Sequence, residues 1–181
     1  FDIVESYNKR KLVPFGEFLP FEKILNKFGL KKITEGHGSF LKGQEYSNLV
    51  IDRMSILPLI CYEVIFSDII QKSDDKTNLI VNISEDGWFG KSIGPNQHFA
   101  KSIFRAIENN TFLLRSTNQG VSAIIDNKGN IIKELKRNEA GNIEFNVPLI
   151  KSNKIKNDLI FFILLITYLL IFLIYKKQNA K

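Results

Sequence analysis

Most of the chain alternates short apolar runs with polar, glycine-containing stretches, and its end is one unbroken apolar run. The pattern predicts a strand over 56–60, helical spacing of apolar positions over 63–70, a polar loop over 71–76 and a second buried strand over 78–84. Gly94 and Pro95 suit a helix start. In a helix over 94–109, Phe99, Ile103, Ala106 and Ile107 fall on one face, with His98, Arg105 and Glu108 on or near the polar side. From residue 112 the period becomes two, predicting strands over 112–116, 121–126, 131–135 and 143–147. Asn118-Gln-Gly120 and Asn127-Lys-Gly-Asn130 supply turns, the second a hairpin connection. Upstream, Phe21, Ile24, Leu25 and Phe28 have helical spacing with Gly29 as a stop, and 48–52 reads as a short strand. Residues 36–45 read as a glycine-rich loop, in which His37 is assigned no role. Units of βαβ type giving way to sequential antiparallel strands imply an α/β fold with a mixed sheet.

Residues 159–175 are seventeen positions without a charge, glycine or proline. At about 1.5 Å per residue they span roughly 26 Å, enough for a bilayer core with flanking lysines at the interface. A transmembrane helix is expected, because nothing after it would cover its sides. Charge does not orient it, since Lys151, Lys154 and Lys156 on one side match Lys176, Lys177 and Lys181 on the other. The expected organisation is a catalytic-type domain over 1–150, a linker over 151–158, the membrane helix over 159–175 and a basic tail over 176–181. The first residue is Phe1 and no signal peptide precedes it, so an upstream portion of a longer protein is expected.

The net charge of +6 is spread among lysines mixed with acids, which argues for a solvated face and against a nucleic-acid partner. One cysteine excludes an intramolecular disulfide and a multi-cysteine zinc site. His98 lacks a partner at ligand spacing, so no metal is expected.

That cysteine ends the apolar run Leu57-Pro-Leu-Ile-Cys-Tyr-Glu63, at a strand-to-helix turn. A thiol there can be exposed at the sheet's edge, and the first amides of a following helix can stabilise both a thiolate and an oxyanion. The position equally suits an inert buried thiol. Lys9 and Glu17 stand eight residues apart with Pro14 and Gly16 between them, so a turn can bring ammonium and carboxylate together; two unrelated surface charges are the alternative. Glu85-Asp-Gly-Trp-Phe-Gly90 leaves the second strand at the same end of the sheet, where sites gather in α/β folds. Trp88 there can line a substrate pocket or pack in the core.

Taken together, Lys9-x-x-Leu-Val-Pro-x-Gly-Glu17, Ile60-Cys-Tyr-Glu63, Asn82-Ile-Ser-x-Asp-x-Trp-Phe-Gly90, Gly94-Pro-x-Gln-His98 and Arg115-Ser-Thr-Asn-x-Gly-Val-Ser122 resemble the C-terminal part of the bacterial apolipoprotein N-acyltransferases, a membrane-bound branch of the nitrilase superfamily. The likeness runs in order from about Tyr7 to Asp126, and that family also places a membrane helix at its end. It implies part of a nitrilase-type αββα sandwich with mixed sheets, facing the periplasm from the inner membrane, with a Glu-Lys-Cys triad and no cofactor. In it Cys61 matches the nucleophile, Lys9 the triad lysine, Glu17 and Glu63 supporting carboxylates, and Tyr62 the residue beside the nucleophile; Trp88 falls in a loop bordering the site. The implied substrates are a phospholipid acyl donor and the N-terminal amine of a diacylglyceryl-cysteine lipoprotein. The sequence departs from the family at Glu85, where asparagine is usual, and Thr111, where arginine is usual. The triad glutamate lies well upstream of the lysine motif in the family, and Glu5 is too near Lys9 to be it, so this segment alone is expected to be inactive. Two other readings are a membrane-tethered amidase or nitrilase that passes the acyl group to water, and a non-catalytic remnant anchored by its tail.

Overall fold

In a computed structural model, the structure describes residues 3–29, 40–44, 48–153 and 158–178; His37, half of its loop, and Lys154, Lys156 and Lys181 lie outside the described residues. Six strands form one sheet in sequence order: β1 (Leu49–Ile51), β2 (Met54–Ile60), β3 (Leu79–Glu85), β4 (Leu113–Asn118), β5 (Ser122–Ile125) and β6 (Ile131–Leu135). β2, β3 and β4 run parallel, and β1, β5 and β6 add antiparallel edges, giving the expected mixed sheet. Branched apolar residues fill these strands because the pleat accommodates them with little loss of rotamer freedom. Pro58 is tolerated in β2 because β1 pairs only as far as Ile56, so its missing N–H falls where no β1 residue pairs.

The pleat sorts the side chains into two faces. Leu57, Ile80, Leu113 and Ile125 are register partners across β2 to β5, are fully buried, and form one apolar row. Val64, Ile69, Ile70 and Ala106 from the helical segments close over that row. On the opposite face, Leu79, Phe112 and Ile124 make a second cluster with Ile143, Val147 and Ile150. Ile143 and Val147 are therefore packed as expected, yet residues 143–147 do not join the sheet. They cross its second face as irregular chain, and their end is held by Ser152 N donating to the Thr77 carbonyl at 2.6 Å. Period-two patterning records burial of alternate side chains, and an extended strap satisfies it as well as a strand. Among the described residues there is one mixed sheet with the helical residues Ile69, Ile70 and Ala106 packed on one face, in keeping with the expected partial sandwich.

Two helical expectations change. Residues 63–70 are not one helix: a 3-10 turn, Cys61–Ile65, gives way at extended Phe66 to the short α-helix Ser67–Gln71. No long helix dipole stands behind Cys61. The second helix, Gly94–Asn109, has the predicted bounds, and Phe99, Ile103 and Ala106 of the predicted apolar face pack on the core as expected, but His98 and Arg105 of the predicted polar side are buried as well. Its buried stripe is Pro95, His98, Ser102, Arg105, Ala106 and Asn109, whereas Ile107 and Phe104 remain exposed and Phe99 and Ile103 are half-buried. Polar residues turn inward because the sheet beneath them presents Asn82 and Arg115 in the row after the apolar one. Near the N-terminus, Glu22–Leu25 and Asn26–Phe28 are helical as expected, but Phe21, Ile24 and Phe28 stay exposed. Helix Asp158–Gln178 contains the predicted apolar run, and Leu159–Lys177 within it is long and apolar enough to cross a membrane.

Candidate active site

β2, β3 and β4 are parallel, so their carboxyl ends meet at one edge of the sheet, and Cys61 is the first residue beyond β2 there. Its backbone lies in the left-handed region, φ 53°. Non-glycine residues seldom adopt that conformation, and it persists only where surroundings enforce it. The thiol is partly exposed and points toward the Glu85 carbonyl, 3.9 Å away.

The loop from Tyr7 to Pro20 supplies the ammonium. Left-handed Phe15 and backbone bonds from Glu17 N to the Val13 carbonyl (2.8 Å) and Phe15 N to the Phe18 carbonyl (2.7 Å) fold it back on itself. Lys9 and Glu17 meet as a largely buried ion pair, Nζ to Oε1 2.6 Å, and the other Glu17 oxygen accepts Val13 N at 2.9 Å. Lys9, Glu17, Cys61, Glu85 and Trp88 line a common cleft of about 650 Å³. A narrower cavity of about 260 Å³ opens beside it between Val13, Pro14, Tyr62, Trp88 and Phe89, again with Cys61 and Glu17 in its wall. The predicted thiol and ion pair thus share one cleft, and Trp88 lines it while remaining mostly exposed, so the core alternative for that residue does not hold.

Glu63 does not face that cleft. Its carboxylate is fully buried and accepts hydrogen bonds from Arg10 N (2.6 Å), Lys11 N (2.9 Å), Ile60 N (2.8 Å) and Tyr7 Oη (2.9 Å). With all these donors on two oxygens, it is an anchor between the Lys9 loop and the cysteine turn, not a group free to exchange protons. Burial, reinforced by the Glu63 charge, pushes the Tyr7 phenol well above the usual tyrosine range, so Tyr7 stays a neutral donor.

A second polar assembly lies under the cysteine. His98 bonds Asp86 through Nδ1 (2.9 Å), Arg115 Nη2 bonds the other Asp86 oxygen (2.8 Å), and Arg115 Nη1 bonds Asn82 and Ser102. Burial pushes the Asp86 carboxyl up, but His98, Arg115 and Ser84 together outweigh it and hold the group below the usual carboxylate range. Burial conversely lowers the Arg115 guanidinium, against the pull of Asp86. Asp86 therefore contributes stability that is complete above the ordinary carboxylate value of about 4 and is lost as pH falls from there through its lower folded value. Urea midpoints are expected to be flat above about pH 5 and to fall in acid. Asp86→Asn should be less stable at neutral pH and show a shallower acid slope; parallel acid slopes in the two proteins would exclude this role.

Sequence reasoning gave His98, Asp86, Arg115, Asn82 and Ser102 no role in a network, although a signal existed. Asn82 and Arg115 are polar residues at inward-facing positions of otherwise apolar strands, and such positions need buried partners. The family departures separate: Glu85 lies in the cleft wall and accepts Gly87 N and Asn118 Nδ2, each at 2.6 Å, whereas Thr111 is buried before β4 with its hydroxyl beside the Asn78 and Ile150 carbonyls. Thr111 thus bears on packing, not on a substrate loop. Among the described residues, no cluster of three potential metal ligands occurs.

Residues 2–156 match the carbon-nitrogen hydrolase family: the chain belongs to it. Its fold is shared with solved members of the nitrilase superfamily. The NitN amidase of Nesterenkonia sp. AN1 superposes with TM-score 0.51 at 18% identity, over 76% of this chain and 49% of that one. A carbon-nitrogen hydrolase of Helicobacter pylori gives TM-score 0.51 at 12% identity, over 62% and 45%. Relatives closer in sequence are named apolipoprotein N-acyltransferase. That of Rhodopseudomonas palustris is 42% identical over 147 residues, 81% of this chain and 27% of its own length, and that of Rickettsia typhi is 42% identical over 147 residues, 79% and 28%. The chain spans a little over a quarter of the length of these relatives.

Proposed function

We propose that this chain is the cysteine-bearing part of an N-acyltransferase that moves a fatty acyl group from a phospholipid to the N-terminal amine of a diacylglyceryl-cysteine lipoprotein. The observation that carries the reading is the convergence of Cys61 and the Lys9–Glu17 pair on one cleft. Sequence identity near 40% to relatives of that name supports the substrate class.

Cys61 thiolate attacks the ester carbonyl, forming a C–S bond; the C–O bond breaks and the lysophospholipid alkoxide leaves with a proton. The amine then attacks the thioester, the amide forms, and the thiolate returns. Lys9 stabilises negative charge on sulfur and on the tetrahedral oxygen, while Glu17 holds Lys9 in place. Tyr62 and Trp88 wall the acyl-binding side. Leu159–Lys177 crosses the inner membrane and keeps the domain of residues 1–150 beside both lipid substrates, on the periplasmic side. Residues 151–158 serve as the linker and 176–181 as a basic tail at the interface. The family resemblance implies a triad glutamate besides Glu17 and Glu63, and without it these 181 residues alone are expected to form no thioester from phospholipid.

The test uses the chain alone and a chimera in which residues 7–150 replace the matching segment of the Rickettsia typhi relative. Mass spectrometry should find a hydroxylamine-labile acyl group on Cys61 only in the chimera, with the acyl group passing to a diacylglyceryl-cysteine peptide. Acyl release to water at an equal rate with or without the peptide would point to a hydrolase and overturn the transferase reading.

A further inference from the structure

The Cys61 carbonyl points away from the cleft into the buried polar assembly. It accepts His98 Nε2 at 3.2 Å and Asn82 Nδ2 at 3.4 Å, and Asn82 Nδ2 also holds the Leu59 carbonyl at 2.9 Å. A carbonyl only accepts, so His98 carries a proton on Nε2. The other ring nitrogen faces Asp86 at 2.9 Å and Arg115 Nη2 at 3.1 Å. His98, Asn82, Asp86 and Arg115 are all nearly or fully buried, and the chemistry proposed above uses none of them. Their bonds end on the one residue whose left-handed backbone aims the thiol at the cleft.

We propose that His98, seated by Asp86 and Arg115, is a positioning residue that clamps the Cys61 carbonyl and so fixes the nucleophile's aim. The proposal rests on Cys61 being the nucleophile. Several features favour positioning over a share in proton transfer. His98 touches the peptide group, not the sulfur, and its ring is walled off by Tyr62 and Phe89, with centroids at 6.2 and 5.5 Å. It is also the group of the helix Gly94–Asn109 that reaches the cysteine turn, whereas Ser102 stops at Arg115. A reacting atom displaced by about 1 Å can lose on the order of 100-fold in rate.

Two amide substitutions separate the two ends of the imidazole. In His98→Asn the amide nitrogen replaces Nδ1, which keeps the Asp86 bond and loses the Cys61 bond. In His98→Gln it replaces Nε2, which keeps the Cys61 bond. Acylation of Cys61 in the full 181-residue chain, in detergent, is followed with p-nitrophenyl butyrate by stoichiometric p-nitrophenol release, alongside thermal midpoints. The second-order rate constant should fall about 10- to 100-fold in His98→Asn and stay within about threefold of the parent in His98→Gln. Equal rates in the two variants overturn the clamp, whatever their midpoints. An Asn variant that does not fold beside a Gln variant that does would show the Cys61 bond to be needed for the fold itself, and would also overturn it. A chimera that forms no acyl group on Cys61 removes the nucleophile and the clamp together, which distinguishes failure of the functional reading from failure of this one.

Discussion

Serine in place of Cys61 is expected to lower acyl transfer in the chimera by a factor of about 10⁴ or more, with the thermal midpoint little changed. The substitution exchanges one small unbranched side chain for another at a partly exposed position, so packing and the left-handed backbone are undisturbed. The chemistry differs more. A serine hydroxyl is essentially un-ionised near neutral pH, and the ammonium of Lys9 stabilises an alkoxide far less readily than a thiolate. Loss of one member of a group that acts as a unit costs nearly as much as loss of the whole, which sets the magnitude. The measurement is the amount of acyl-enzyme and of acylated peptide formed per minute in parallel preparations. Transfer retained within tenfold would show that the sulfur is not the acyl carrier.

Glu63→Ala is expected to be the most destabilising substitution of a single side chain in the cysteine turn. It leaves three backbone N–H groups and the Tyr7 hydroxyl without their acceptor in a site that water does not reach. Each orphaned donor costs about 1–3 kcal/mol, and relaxation of the loop recovers part of the sum, so a loss of about 3–5 kcal/mol follows. Urea unfolding provides that number. Limited proteolysis provides a second readout, because the same carboxylate joins residues 7–11 to residue 60, and cleavage should appear first in the Lys9 loop. Glu63→Gln keeps one acceptor oxygen and places a donor against the remaining N–H groups, so it should fall between the parent and the alanine variant. Were Glu63→Ala as stable as the parent and fully active, the anchoring role would be excluded.

The strands and the helix Gly94–Asn109 were legible from the period of their apolar positions, and the terminal helix from an apolar run with no polar break. The place of Cys61 was legible too, since an apolar run ending at Cys61 before a polar-tipped turn leaves few other arrangements. The turn-forming residues between Lys9 and Glu17 allowed their pairing without requiring it, and the fold brings the two together. What stayed illegible was orientation. The apolar face of the helix was read from Phe99, Ile103, Ala106 and Ile107, but its polar stripe faces the sheet as well, because the lost solvation of His98, Ser102 and Arg115 is replaced by one another, Asp86 and Asn82. Glu63 was implied by the family resemblance as a supporting carboxylate, but its place as the buried acceptor for Arg10 N, Lys11 N, Ile60 N and the Tyr7 hydroxyl cannot be read from sequence spacing. The strap over 143–147 shows that a two-residue period reports which side chains are covered, not whether the backbone pairs.

The dihedral angle at Cys61 also limits which nucleophiles evolution or design can install there. Threonine has a serviceable hydroxyl, and valine or isoleucine would fill similar space, but a second heavy atom on the β-carbon collides with the main chain when φ is near 53°. The turn thus admits only side chains that begin with a CH2 group, and a threonine-based version of this chemistry would have to arise on a differently bent scaffold.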